Sequence, residues 1–157
     1  MSLKNLNAKI KIPKHFKGKI NNRRVKQVYR RFEKSLDNID KFVVAVSGGP
    51  DSMALAFLSK IYSLQKKAIV KFFIVDHKIR PESSKEARTV KKILKQNLIN
   101  AKILTWERNK SSKISQAVAR KKRYELLFKE CEKLKINNLL TGHQQDDIFE
   151  NFFIRIL

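Results

Sequence analysis

Cysteine occurs once in these 157 residues, as Cys131. That excludes an internal disulfide and a C-x-x-C metal or redox pair, and it fits a reducing, cytoplasmic setting. Cys131 stands among helix-like residues and reads as a small core side chain rather than a nucleophile. No run approaches the roughly 18 apolar residues that a spanning helix requires, and the N-terminus lacks the apolar core of a secretory signal. His77 and His143 are joined by no Cys or third His at zinc-site spacing, so hydrogen bonding or contact with an adenine suits them better than metal ligation. Two common phosphate-binding signatures are also missing: there is no G-x-x-x-x-G-K followed by Ser or Thr, and no G-x-G-x-x-G. Acidic residues are scarce as well. Fourteen Asp and Glu face 36 Lys and Arg, a formal net charge of +22. RNA or DNA is the first partner this predicts and a membrane surface the second. Of the 36 basic residues 26 are Lys, which a biased composition alone also produces.

The most informative stretch that is present runs Phe42-Val43-Val44-Ala45-Val46-Ser47-Gly48-Gly49-Pro50-Asp51-Ser52. An apolar strand-like run passes into a helix-like one through a turn suited to pyrophosphate. Adjacent Gly48 and Gly49 let the backbone approach an anion without a Cβ in the way. Ser47 and Ser52 offer hydroxyls, and the free N–H groups that open a helix supply partial positive charge. Asp51 beside a phosphate calls for a cation between them, and Mg²⁺ takes such a set of one or two carboxylates plus phosphate oxygens. The plainer alternative is a strand-to-helix turn with Asp51 or Ser52 as N-cap.

Residues 1–40 carry twelve Lys or Arg against three acids and read as a basic lead before the main domain at 41–157. Within it Val25, Val28, Tyr29, Phe32 and Leu36 recur at spacings of three and four, an amphipathic helix whose other face is basic. From residue 42 strand-like runs at 42–47, 69–75, 101–106 and 137–141 alternate with helical patterns near 52–64, 83–97, 115–134 and 145–157. Alternation of this type predicts a layered α/β fold on a parallel sheet. Ligands of such sheets bind beyond the carboxyl ends of the strands. Chemistry-bearing residues follow three of the four runs: Ser47-Gly48-Gly49, then Asp76-His77-Lys78-Ile79-Arg80-Pro81, then Thr141-Gly142-His143 with Asp146, Asp147 and Glu150. The last three carboxylates share a helix face at spacings of three and four and suit a cation or an amine, although acids at a helix start are also favoured by the macrodipole. Arg120 falls on the stripe Ala117, Tyr124, Leu127, Cys131, Leu134, and an inward arginine points to an anion. The chain stops on the apolar run 152–157, which reads as a cut inside a helix of a longer protein.

With Ser47-Gly48-Gly49-Pro50-Asp51-Ser52 in place the chain resembles the N-type ATP pyrophosphatases, or PP-loop proteins, of the adenine nucleotide alpha hydrolase-like fold. Val75 to Ser83, Ala119-Arg120 with Arg123-Tyr124, and Leu140 to Asp147 with Glu150-Asn151 narrow the resemblance to the tRNA(Ile)-lysidine synthetase family. That resemblance implies a cytoplasmic ligase. It adenylates the wobble cytidine of the CAU-anticodon tRNA(Ile), and the ε-amino group of free L-lysine then displaces AMP to give lysidine. Residue by residue, Ser47, Gly48, Gly49, Pro50, Asp51 and Ser52 would cradle ATP with His77, Gly142 and His143 beside them. Asp51 and Asp147 would hold Mg²⁺. Arg120 and Arg123 would meet phosphate or RNA, and Asp146, Asp147 and Glu150 would bind Mg²⁺ or the lysine ammonium. The family's usual His-His pair is Gly142-His143-Gln144 here, and its usual Asp-Asp-Gln-x-Glu-Thr is Asp146-Asp147-Ile148-Phe149-Glu150-Asn151. Its C-terminal tRNA-recognition domains would lie beyond the chain, and a homodimer is left open. The alternatives are another PP-loop enzyme, such as a tRNA thiolase or an NAD synthetase, and an RNA-binding module without chemistry. A thiolase of the 2-thiocytidine type would call for paired cysteines.

Overall fold

The computed structural model describes Phe16, Gly18, residues 21–107 and residues 115–142. Its elements run α1 (Arg23–Ser35), β1 (Lys41–Ala45), α2 (Pro50–Lys66), β2 (Ile69–Asp76), α3 (Ser83–Gln96), β3 (Ala101–Thr105), α4 (Gln116–Leu134) and β4 (Leu139–Thr141). The helical pattern near 145–157, and with it His143, Asp146, Asp147 and Glu150, lies outside the described residues.

The four strands form one parallel sheet in the order β3-β2-β1-β4. Val44 pairs with Phe72 on one side and Leu140 on the other, and Ile74 pairs with Ile103. The central strands read as near-continuous apolar runs because both faces are covered, as parallel sheets require. Their two-residue period separates two cores. Phe42, Val44, Val46, Phe72 and Ile74 pack with Ala56, Ile61, Ala87 and Leu94 of α2 and α3. Val43, Phe73 and Leu104 pack on the opposite face with Leu127 and Cys131 of α4.

Tyr29 and Leu36 bring α1 and its exit turn into the first core. The Tyr62 hydroxyl donates to the carbonyls of Leu36 and Ile39, each at 3.1 Å, and Tyr29 reaches Gln65. Val28, placed on the inner stripe by its spacing, faces out at 52% exposure. On α4 the stripe likewise holds only in the middle: Leu127 and Cys131 are buried, whereas Ala117 and Leu134 are exposed. Among the described residues no helix is long and apolar enough to cross a membrane.

Gly49 caps α2 and Pro50 takes its first position, where a missing N–H costs nothing. Ser115 caps α4 by accepting from the Val118 amide at 3.3 Å, and Asn22 caps α1 by accepting from Arg24 at 2.9 Å. From β1 the chain steps outward to β2 and β3 and then returns to lay β4 on the other side of β1. The reversal places a crevice at the carboxyl ends of β1 and β4, the usual ligand position in open α/β sheets.

Candidate nucleotide site

The loop leaving β1 is built around one hydroxyl. Ser52 is 2% exposed. Its Oγ accepts from the Ser47 and Gly48 amides, both at 3.2 Å, stands 3.1 Å from Ser47 Oγ, and donates to the Gly49 carbonyl at 2.9 Å. The hydroxyl read from sequence as a phosphate donor is thus engaged in holding the loop's shape. Gly48 has φ +93°, and a Cβ there would stand 2.6 Å from Val90 Cγ2, so glycine is required on both counts. Gly49 differs: a Cβ would meet only Ser47 Oγ at 3.7 Å. Nothing in the described fold demands glycine at 49, which leaves the space beside it for something that approaches the backbone.

Gly142, at the end of β4, lies against the first turn of α2. A Cβ there would come within 2.6 Å of the Ser52 nitrogen, 2.7 Å of its Cα and 2.9 Å of the Asp51 carbonyl carbon. The two halves of the motif, 90 residues apart in sequence, therefore meet backbone to backbone. Asp51 is exposed at the second position of α2. It stands where the first-turn amides carry partial positive charge.

A cavity of about 310 Å³ opens over this junction. Ser47, Ser52, Thr141 and Gly142 line one side, and His77, Arg80, Glu86 and Arg123 another. Arg80 and Glu86 form an exposed ion pair at 3.2 Å. The Arg123 Nε–H donates to His77 Nε2 at 3.2 Å, which assigns the proton of the neutral ring to Nδ1. Burial and then the neighbouring Arg123 charge lower the His77 pKa, so the ring is neutral at pH 7. Its Nδ1 is buried and has no hydrogen-bond partner among the described residues. Arg123 lines the cavity; Arg120, one turn earlier, lies half-buried on the same helix.

Asp76, the last residue of β2, had no assigned role, and sequence spacing gave no signal for one. It is 4% exposed and accepts from the Lys78 amide at 3.0 Å, from Ser83 Oγ at 2.9 Å and from Ser84 Oγ. Burial pushes its pKa up, but the hydrogen bonds from Ser84, Lys78 and Ser83 together outweigh that and hold it below the ordinary value. The carboxylate thereby ties the turn that carries His77 to the first turn of α3. Cys131 is buried in the second core, and its thiol pKa is pushed up to about 11 by burial and two neighbouring glutamates.

The model of the PP-loop domain family matches residues 18–157. The chain belongs to the PP-loop family. The tRNA(Ile)-lysidine synthase of Orientia tsutsugamushi is 42% identical to this PP-loop chain over 117 residues, which are 74% of the chain and 26% of that relative. The tRNA(Ile)-lysidine synthase of Rickettsia bellii is 34% identical over 137 residues, 82% of the chain and 31% of the relative. That of Rhodopseudomonas palustris is 38% identical over 116 residues, with 73% and 34% covered. The PP-loop chain thus spans about a quarter to a third of the length of these curated relatives. Among solved structures, the U34-tRNA thiolase NcsA from Methanococcus maripaludis superposes with a TM-score of 0.63 at 18% identity, covering 84% of this chain and 49% of that one. A likeness at that identity shows the fold alone.

Proposed function

We propose that this chain is the nucleotide-binding part of a tRNA(Ile)-lysidine synthetase. The observation that carries the proposal is the junction of Gly142 with the Ser47–Ser52 loop at the switch point of a PP-loop sheet, joined to three relatives bearing that name. The substrates would be ATP, free L-lysine and a CAU-anticodon tRNA(Ile).

In the first step the carbonyl oxygen of the wobble cytosine attacks the α-phosphorus of ATP. A P–O bond forms, the bond to the β-phosphate breaks, and pyrophosphate leaves. In the second the lysine ε-amino group attacks the ring carbon that bears the adenylated oxygen, a C–N bond forms, the C–O bond to AMP breaks, AMP leaves with that oxygen, and the nitrogen gives up a proton to solvent or a base. The Gly49 amide and the first turn of α2 would face the leaving pyrophosphate, with the glycine at 49 allowing close approach. Arg123 would meet the charge developing on phosphate, and the neutral His77 would offer its Nδ1–H to the nucleotide. Arg120 is assigned to phosphate or RNA as its motif implies, and His143, Asp146, Asp147 and Glu150 keep the nucleotide, metal and lysine roles carried by theirs.

Asp51 fits Mg²⁺ as one carboxylate working with phosphate oxygens. Among the described residues no group of three His, Cys, Asp or Glu could hold an ion alone. When bound, Mg²⁺ would neutralise the charge between Asp51 and the phosphates. Cys131, buried and with a raised thiol pKa, does not suit a thiolase reaction.

The test is incorporation of labelled lysine into unmodified CAU-anticodon tRNA with ATP and Mg²⁺, using the protein that carries this domain and Asp51→Ala as control. Label in the tRNA that the control loses supports the proposal. ATP binding without transfer would move the substrate to another PP-loop enzyme class, and no ATP binding would favour an RNA-binding module.

A further inference from the structure

We propose that the outward face of α1 docks the phosphate backbone of RNA, at the end of the domain remote from the cavity; the identity of that RNA as tRNA rests on the function proposed above. Arg23, Arg24, Lys26, Arg30, Arg31 and Lys34 are all exposed. At 100° per residue they fan across about 160° of the helix, opposite the buried Tyr29 and Leu36. Among the described residues none of the six is in an ion pair, and the one acid of the helix, Glu33, is held by Lys66 at 2.9 Å.

A face that only kept the chain soluble would be arranged differently. The first turn of α1 has no acid and begins with two arginines, which oppose the helix dipole. Lys26 with Arg30, and Arg30 with Lys34, set like charges four residues apart, which destabilises a helix. Both costs fall away when an anion lies along the face. The residue choice points the same way. Four of the chain's ten arginines lie in this helix, in a sequence that otherwise favours lysine 24 to 6. The guanidinium fork matches phosphate oxygens in a way an ammonium does not.

Two features decide the class of partner. Most of the apolar side of α1 is already used, with Tyr29 and Leu36 buried and Phe32 edge-on to Tyr62 at 6.2 Å, and the exposed Val28 alone is too little apolar surface to enter a lipid interface. Position also matters. The contacts of α1 fall on Tyr62, Gln65 and Lys66, at the end of α2 opposite the loop. At 1.5 Å per residue those contacts lie about 18 to 24 Å along α2 from the loop. A mononucleotide cannot bridge that separation, whereas a folded RNA presenting one base to the cavity can.

The experiment measures binding of unmodified CAU-anticodon tRNA across a salt series, for the parent and for a variant carrying Arg23→Gln, Arg30→Gln, Arg31→Gln and Lys34→Gln. Four lost phosphate contacts should make the slope of log affinity against log salt shallower by about 3, and weaken binding roughly tenfold or more near 0.1 M salt. ATP affinity should be unchanged. Lysine at the three arginine positions should keep the slope. Hydrogen exchange of the parent supplies a readout that needs no variant: tRNA should protect the α1 amides. An unchanged slope and affinity, or no protection of α1, overturns the proposal. So does loss of binding to phosphatidylserine vesicles in the variant with tRNA binding intact. Binding through α1 without lysine transfer would refute the enzymatic proposal and leave this surface standing; transfer with an unaltered KM for tRNA in the variant would do the reverse.

Discussion

Single residues divide the glycines of the site into two kinds. Gly142 is enclosed by backbone atoms of Asp51 and Ser52 at 2.6 to 2.9 Å, and backbone at a helix start cannot step aside. Gly142→Ala should therefore cost about 1–3 kcal/mol of stability and separate β4 from α2. Gly49→Ala meets nothing closer than 3.7 Å, so its effect on stability should stay within the N-cap difference of about 1 kcal/mol or less. Its nucleotide affinity should nevertheless fall. Urea unfolding beside nucleotide titration checks both, and equal stability losses in the two variants would refute the distinction. Asp76 gives a second prediction. Its folded pKa lies below the unfolded value, so its contribution is present above pH ~4 and is lost as pH falls through the folded value. Asp76→Asn should cost about 2 kcal/mol near neutral pH. The gap from the parent should narrow below pH ~4 in urea unfolding, and a gap independent of pH would contradict the assignment.

Elements were far more legible than their arrangement. The strand-like runs at 42–47, 69–75, 101–106 and 137–141 coincide with β1 to β4 to within two residues at each end, because strands buried on both faces need continuous apolar residues. The start of α4 at Ser115 was legible, whereas α2 begins at Pro50, two residues before the expected 52, with Gly49 rather than Asp51 or Ser52 as its N-cap. Pair contacts were not legible. The bond from Arg123 to His77 spans 46 residues, and Gly142 meets Ser52 only because β4 lies beside β1. Those contacts depend on strand order, which periodicity does not encode. Val28 and Leu134 left their stripes for a related reason: spacing defines a face, while the width actually covered depends on the neighbouring element. The attachment of α1 to α2 is testable at this scale. Tyr62→Phe removes the hydroxyl that holds the carbonyls of Leu36 and Ile39. It should lower stability by about 1 kcal/mol and raise exchange rates in α1, while nucleotide binding at the far end of α2 stays unchanged. Loss of nucleotide binding in that variant would contradict the separation of the two ends.

At the scale of the whole molecule, the charge of +22 and the PP-loop cavity suit, on the two proposals above, different tasks at different ends of one sheet. A small anionic nucleotide needs only the loop, the first turn of α2 and Arg123. The rest of the positive charge is in excess of that need and suits a polyanion. On that division, composition bears on the proposed polyanionic partner and the loop residues on the proposed chemistry. The most direct test of the central claim is the fate of ATP labelled separately at the α- and γ-phosphates, incubated with CAU-anticodon tRNA, lysine and Mg²⁺. Cleavage between the α- and β-phosphates is predicted, with the γ label in pyrophosphate, the α label in AMP, and both products dependent on tRNA. Release of the γ label as inorganic phosphate with ADP remaining would contradict it.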